Sequence, residues 1–368
     1  MRVRRRAASS LAALTAGVLL LPACGAGGSS PITAVSIADA PTAIGVSDGD
    51  LWPSCWSDDD ALYAANGDGA GFGSVTSDIV MNRITGSPAS DDLAGEALGV
   101  GDDLGQVWTT EAGYTRKPTG MLCVDGVLYL AVQDLAPDFD QAPNATIARS
   151  DDHGATWTWN RSAPMFDDGV LTTIWFADYG RDAERRPDAE HVYAYGLDGS
   201  WRDSFTDAVA DPTELFLARV PVASVQDASS WEFYAGEPGD DEPTWTSDVA
   251  AKRPVLVDER RVHGMTVLSQ GGVTYLPQHE RYLYSSWTEY TVELYEAPEP
   301  WGPWTSVLSE DFGEYPWTED RIGGYATTVP SKFVSDDERT MWMQSNVCPC
   351  APAGVTSYWF GLREVRLG

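Results

Sequence analysis

Residues 124–132, Val-Asp-Gly-Val-Leu-Tyr-Leu-Ala-Val, decide the fold. An acidic turn leads into a short run of β-branched and aromatic residues, the pattern of a strand entered through a tight hairpin. The same unit returns along the chain as Asp60-Ala-Leu-Tyr63, Glu190-His-Val-Tyr193, Glu280-Arg-Tyr282 and Glu338-Arg-Thr-Met-Trp342. Its aromatic anchors Tyr63, Tyr129, Tyr193, Tyr282 and Trp342 stand 66, 64, 89 and 60 residues apart. Helical periodicity is scarce between them, while alternating Val, Ile, Tyr, Trp and Thr recur between Gly, Pro, Asp and Asn clusters. A unit repeating at this period, with room for about four strands per copy, predicts an all-β chain folded as a five-bladed β-propeller. The polar stretch 236–254 takes up the longest interval as an insertion. A β-sandwich with coincidental turn spacing is the competing arrangement.

Ser150-Asp-Asp152-His-Gly154-Ala-Thr156-Trp157 adds a second signature, the S-x-D-x-G-x-T-W Asp-box of propeller hairpins. Asp152 is expected to cap the turn, Gly154 to supply a positive φ, and Trp157 to pack inward. Residues 335–342 read as a worn copy without the Gly.

The N-terminus, MRVRRRAASSLAALTAGVLLLPACGAGGSS, orders a basic region, a short apolar run and Leu21-Pro-Ala-Cys24 before Gly25. That order predicts a lipoprotein signal over 1–23, with Cys24 lipidated. The apolar run is too short for a spanning helix, although an uncleaved anchor is the alternative. The expected location is outside the cytoplasm, anchored to the cell membrane through that lipid alone. Residues 24–40 are expected to form a flexible tether and 41–368 the propeller domain.

The chain holds 24 basic and 55 acidic residues, for a formal charge of -31, and loss of Arg2, Arg4, Arg5 and Arg6 leaves -35. Such a body repels nucleic acid and anionic lipid, so nucleic-acid binding is excluded and a monomer is expected. An exported context permits disulfides among Cys55, Cys123, Cys348 and Cys350. For Cys348-Pro-Cys350 a loop disulfide is preferred to a zinc site, because no histidine or second cysteine pair stands nearby.

In a propeller the ligand site lies at one end of the central channel, reached from the innermost strands. Asp58, Asp59 and Asp60 belong to the repeated turn and are expected to be structural. Asp50 and Asp68 do not belong to it: one enters the first strand and the other leaves the next, so an antiparallel hairpin brings both to one edge. Gly67, Gly69 and Gly71 permit close approach there, and Trp52, Trp56 and Phe72 are expected to offer faces for sugar stacking. Paired carboxylates beside aromatic platforms suit glycoside hydrolysis, one acid protonating the leaving oxygen and the other acting as base or nucleophile. The alternative is that Asp68 closes a turn or, with Asn66, holds a structural calcium through oxygen ligands. No other cofactor is expected. Lys117, Asp167, Asp168, Asp198, Arg202 and Tyr275 are further candidates for the same mouth. His153, His191, His263 and His279 make no metal-ligand spacing, and no G-x-S-x-G elbow supports serine chemistry.

The segments WSDDDALYAANGDGAGFG, RKPTGMLCVDGVLYL, FLARVP, RYLY and Ala297-Pro-Glu-Pro-Trp301-Gly-Pro-Trp304 resemble a family of secreted bacterial five-bladed propellers. That family was first described as a domain of unknown function and includes endo-D-arabinanases that act on mycobacterial-type cell-wall arabinan. The resemblance runs from about residue 42 to the C-terminus. It implies that Asp50 and Asp68 act as the acid and base pair on a cell-wall polysaccharide. The chain departs from the pattern at Ala65-Asn66, where an aromatic is common, which touches the substrate contacts of the first blade. Sialidases share the Asp-box, but their R-I-P arginine stands near the domain start, whereas Arg219-Val-Pro221 lies mid-chain. The alternative function is a non-catalytic glycan-binding lipoprotein of the cell envelope.

Overall fold

The structure, a computed structural model, describes residues 31–90, 92–203, 206, 208–314, 321–347 and 358–368. Cys24, Cys348 and Cys350 lie outside the described residues, as does most of the N-terminal signal and tether. Among the described residues the regular structure is strand, with only short 3-10 turns.

Asp48–Asp50 and Ser54–Trp56 both pair with Leu62–Gly71, which continues to Ser77–Thr85 and Ala94–Val100. Thr115–Val124, Val127–Leu135 and Ala145–Ser150 form a second sheet. Thr173–Asp178, His191–Leu197, Glu214–Pro221, Glu232–Tyr234 and Trp245–Thr246 follow one another in a third run of pairings. Gly272–Leu276, Arg281–Trp287, Thr291–Ala297 and Thr305–Asp311 form a fourth, joined to the third where Ala177 and Asp178 pair in parallel with Val273 and Thr274. Tyr325–Thr328, Thr340–Asn346 and Gly361–Leu367 complete the order.

The first strands of these runs meet around a small central cavity lined by Ser54, Gly120, Trp175, Gly272 and Thr328. Gly120 permits the approach: a Cβ there would lie 2.4 Å from the Trp175 Cα. The buried faces pack into clusters between neighbouring sheets, the largest built around Trp175, Tyr195, Trp231 and Tyr284.

The repeated turn now has a cause. Asp60, Asp125, Glu280 and Glu338 all adopt positive φ, between 52 and 67°. Each therefore sits at a left-handed position of the turn joining a central strand to its neighbour, a conformation that Asp favours and that β-branched residues tolerate worst, while Glu190 in the third copy does not share it. Asp59 accepts from Ala61 N and Tyr63 Oη and pairs with Arg83, while Asp60 receives Trp56 Nε1 and Lys332. The Asp-box turn forms as its residues predict. Asp152 accepts from Ser150 Oγ at 2.8 Å, Thr156 N at 2.8 Å and Thr156 Oγ1 at 2.7 Å, Gly154 has φ 83°, and Trp157 is buried.

Two expectations change. Residues 35–37 are not tether: Val35–Ile37 pairs antiparallel with Val365–Leu367, so the ordered domain begins before residue 41. The chain start thus completes the last sheet, and the fully buried Arg363 locks it there by donating to the carbonyls of Ala38, Asp39, Ile322 and Gly323. Nor does 236–254 stand apart as an insertion: Trp245–Thr246 pairs with Glu232–Tyr234, and Trp301 of the PEPWGPW segment donates to Asp240 O at 2.9 Å. Cys55 and Cys123 form a disulfide across a separation of 68 residues, linking the central strands of the first two sheets.

Candidate active site

Asp50 ends the short strand Asp48–Asp50, just before the first central strand Ser54–Trp56, and stands opposite Gly67 in the register with Leu62–Gly71. The next two residues, Leu51 and Trp52, both have positive φ, 68° and 52°, and Asp68 has 44°. Three non-glycine residues in the left-handed region within one hairpin are uncommon, and such conformations persist where the surrounding structure enforces them. Their effect here is to turn Asp50 toward the neighbouring strand ends. A Cβ on Gly67 would lie 2.5 Å from Asp50 Oδ1, so only glycine leaves room for this carboxylate.

Asp50 is buried, its Oδ2 accepts from Tyr325 Oη at 3.1 Å, and Tyr358 donates to it as well. Among the described residues its Oδ1 has no hydrogen-bond partner. Burial, the largest influence, pushes the Asp50 carboxyl above the ordinary aspartate range. The Lys117 ammonium opposes that rise, the charge of Asp68 adds to it, and the tyrosine hydrogen bonds pull it back. Lys117, at the start of the second central strand, is 3% exposed and forms an ion pair with Asp68, whose side chain is 43% exposed. The two aspartates thus differ: one is a buried acid that favours its proton, the other a half-exposed carboxylate held by a buried cation.

One wall of this mouth comes from residues remote in sequence. Tyr325 packs on Trp287 at 5.5 Å between ring centroids, and Trp287 packs on Trp201 at 5.6 Å. These rings cluster with Leu51 and Leu135, and Tyr358 packs against them. Beside them Arg202 pairs with Glu289 at 3.0 Å. Burial raises the Glu289 carboxyl, against the pull of Arg202.

Of the residues expected at the mouth, the structure brings together Asp50, Asp68, Lys117 and Arg202. It places others elsewhere. Trp52 is fully buried, packed edge-on against Phe72 and Phe360 with its Nε1 donating to Gly49 O, so it has no face for a sugar. Phe72 packs with it. Trp56 lies a strand length beyond Asp50, at the end carrying the acidic turns, where Lys332 sits 5.2 Å from its ring centre. Tyr275 is also at that end, packed with Tyr179 and Tyr282. Asp168 and Asp198 line a separate recess with Gly169 and Gly199, where Asp198 accepts from Leu171 N and pairs with Lys252. Asp167 is exposed, with its carbonyl closing the turn to Val170.

The donors at Asp68 do not suit calcium. Asn66 Oδ1 is taken by Asn82 Nδ2 at 2.9 Å, and the Lys117 ammonium occupies the cation's place on Asp68. His153, isolated in sequence, does join Asp58 at 2.7 Å, near Asp59, on the end opposite the mouth.

With this geometry in view, comparison with solved structures identifies the fold. A Bacteroides ovatus protein provisionally described as a hydrolase superposes with a TM-score of 0.55 at 13% identity, over 88% of this chain and 87% of that one. A GH43_1 enzyme of Xanthomonas citri in complex with xylotriose gives 0.50 at 13% identity, over 89% of each chain. The catalytic domain of a Coprinopsis cinerea GH62 α-L-arabinofuranosidase gives 0.48 at 10% identity, over 91% of this chain and 97% of that one. The fold is that of the β-propeller glycoside hydrolases. The chain belongs to the DUF4185 family, described as a domain of unknown function, which matches residues 39–345. No curated protein matches it at a significant level.

Proposed function

We propose that the chain is a five-bladed β-propeller glycoside hydrolase, endo-acting on D-arabinan or a related furanosyl polysaccharide of the actinobacterial cell wall. The convergence of Asp50 and Asp68 on one buried lysine carries this reading. Glycosidic cleavage needs one carboxyl that holds a proton for the leaving oxygen and one carboxylate that acts as base or nucleophile. Asp50 suits the first role, because burial raises its carboxyl and, among the described residues, its buried Oδ1 has no hydrogen-bond partner. Asp68 suits the second, oriented by Lys117. Tyr325 and Tyr358 fix Asp50, and Trp201 with Trp287 support them. The five-blade count is favoured by the five central strands around one cavity, and the arabinan substrate by the motifs of the first and fourth sheets. Export on a Cys24 lipid would place a monomeric enzyme beside that polymer.

The test is incubation of the wild type with cell-wall and plant arabinans, followed by chromatography of the products. Oligosaccharides should appear, and Asp50→Asn and Asp68→Asn should each abolish them. Hydrolysis retained by both variants would sink the assignment. Binding to arabinan with no new reducing ends would favour the glycan-binding lipoprotein instead.

A further inference from the structure

The end of the molecule opposite the mouth carries its own groove. Its volume is ≈ 700 Å³, and its lining includes Trp56, Arg185, Gln278, Lys332, Asp336 and Trp342. These residues come from the first, third, fourth and last runs of strands, so the groove crosses the molecule where their turns meet. Its size falls within the roughly 300–1,000 Å³ usual for ligand sites.

Its chemistry is specific. Trp56 and Trp342 are half-buried, each anchored against the Trp52, Phe333 and Phe360 cluster, so their rings are held rigidly. Lys332 lies over Trp56 and is held by Asp60 O and Oδ1. Arg185 is exposed, and among the described residues its guanidinium has no ion pair, although Asp178 lies within its electrostatic reach. Rigid aromatic faces beside Arg, Gln and Asp groups that donate and accept in a plane match the alternating apolar faces and hydroxyl edges of a saccharide.

Charge narrows the occupant. Lys332 and Arg185 are offset by Asp336 and Glu338 in the same lining, and the body around them is strongly acidic. A polyanion would be repelled by that field, whereas a neutral chain would not. We infer that this groove is a second, non-catalytic binding site for a neutral polysaccharide, which holds the polymer on the face remote from Asp50 and Asp68. The groove stands on its own geometry, and only the identity of the polymer rests on the proposed function.

Native-gel retardation tests it, with soluble arabinan, arabinogalactan and xylan in the gel and Asp50→Asn as the parent so that no polymer is cut. At least one polymer should retard the parent. Arg185→Ala added to it should weaken retardation about tenfold, the effect of losing one hydrogen bond to a charged group, and Trp342→Ala should weaken it by a comparable factor through loss of its ring face. Trp342→Phe should keep most of it, and thermal melts should show each variant folded. Unchanged retardation in Arg185→Ala and Trp342→Ala, or no retardation of the parent by any polymer, would overturn the inference. Product chromatography of the wild type reads the mouth separately: polymer held but never cut would leave this groove standing while refuting the hydrolase.

Discussion

Asp50→Asn should inactivate the protein and make it more stable at neutral pH. The carboxyl is buried, and its folded pKa lies above the unfolded value. The folded chain therefore binds this proton more tightly than the unfolded chain does. The group's contribution to stability is greatest below the ordinary aspartate pKa and declines as pH rises, until it levels off above the folded pKa. Each unit of elevation forfeits about 1.4 kcal/mol above that point. Asparagine is neutral at every pH, fits the same volume, and its amide oxygen can still accept from Tyr325. The variant should thus unfold at higher urea than wild type at pH 7, and the difference should shrink toward zero as pH falls to the ordinary aspartate range. Activity should fall at least 10²-fold, the scale of a lost general acid. Urea unfolding at several pH values, beside product release from arabinan, measures both. A variant less stable than wild type at neutral pH, or a pH-independent difference, would refute the view that burial holds the proton on Asp50.

Lys117→Met keeps the aliphatic stem and deletes the cation, so both carboxyls lose an opposite charge; the pH–rate profile should move about a unit alkaline or more, and an unmoved profile would exclude Lys117 from the site's electrostatics. Gly67→Ala places a methyl 2.5 Å from Asp50 Oδ1; it should cost about 1–3 kcal/mol of stability by overpacking and most of the activity, and a fully active variant would contradict the described position of Asp50. Cys123→Ser opens the disulfide that closes a separation of 68 residues; by the chain-entropy model it should lower folding stability by about 4 kcal/mol, measured by urea unfolding against the oxidised wild type.

What the sequence made legible was local. In four of the five copies, Glu190 being the exception, the acidic residue before the repeated strand marks a left-handed turn position, because the constraint is settled within four residues. Asp50 and Asp68 could likewise be paired, since a hairpin is the shortest-range form of tertiary contact. Alternation then failed at Leu51 and Trp52: two successive left-handed residues break the two-residue period, so Trp52 turns into the core while Asp50 stays at the mouth. Trp56 and Tyr275 were misplaced for a different reason. Each stands toward the far end of its central strand, Ser54–Trp56 or Gly272–Leu276, and a strand rises about 3.3 Å per residue, which carries that end away from the mouth. Tyr325, Tyr358, Trp287 and Glu289 were not identified, because they reach the mouth from more than 200 residues beyond Asp50 and no local signal marks them. Val35–Ile37 was hidden in the same way: its partner is the last strand of the chain.

Strand direction also keeps the two carboxylates of the proposed site apart from the other acids of so acidic a chain. Each central strand starts at the mouth and ends in a repeated turn, so the turn acids are delivered to the opposite end and the mouth keeps only those that precede a strand or leave a hairpin. Asp59 belongs to the first group, paired with Arg83 at 2.9 Å with both side chains about a third exposed. Such a pair contributes roughly 0.2–1 kcal/mol, and the bond to Ala61 N is one turn hydrogen bond. Asp59→Asn should therefore lower stability by about 1 kcal/mol or less, with product release and its pH dependence unchanged. A shifted pH profile in Asp59→Asn would mean that the two ends of the molecule are electrostatically coupled. The separation of turn acids from site acids by strand direction would then be wrong.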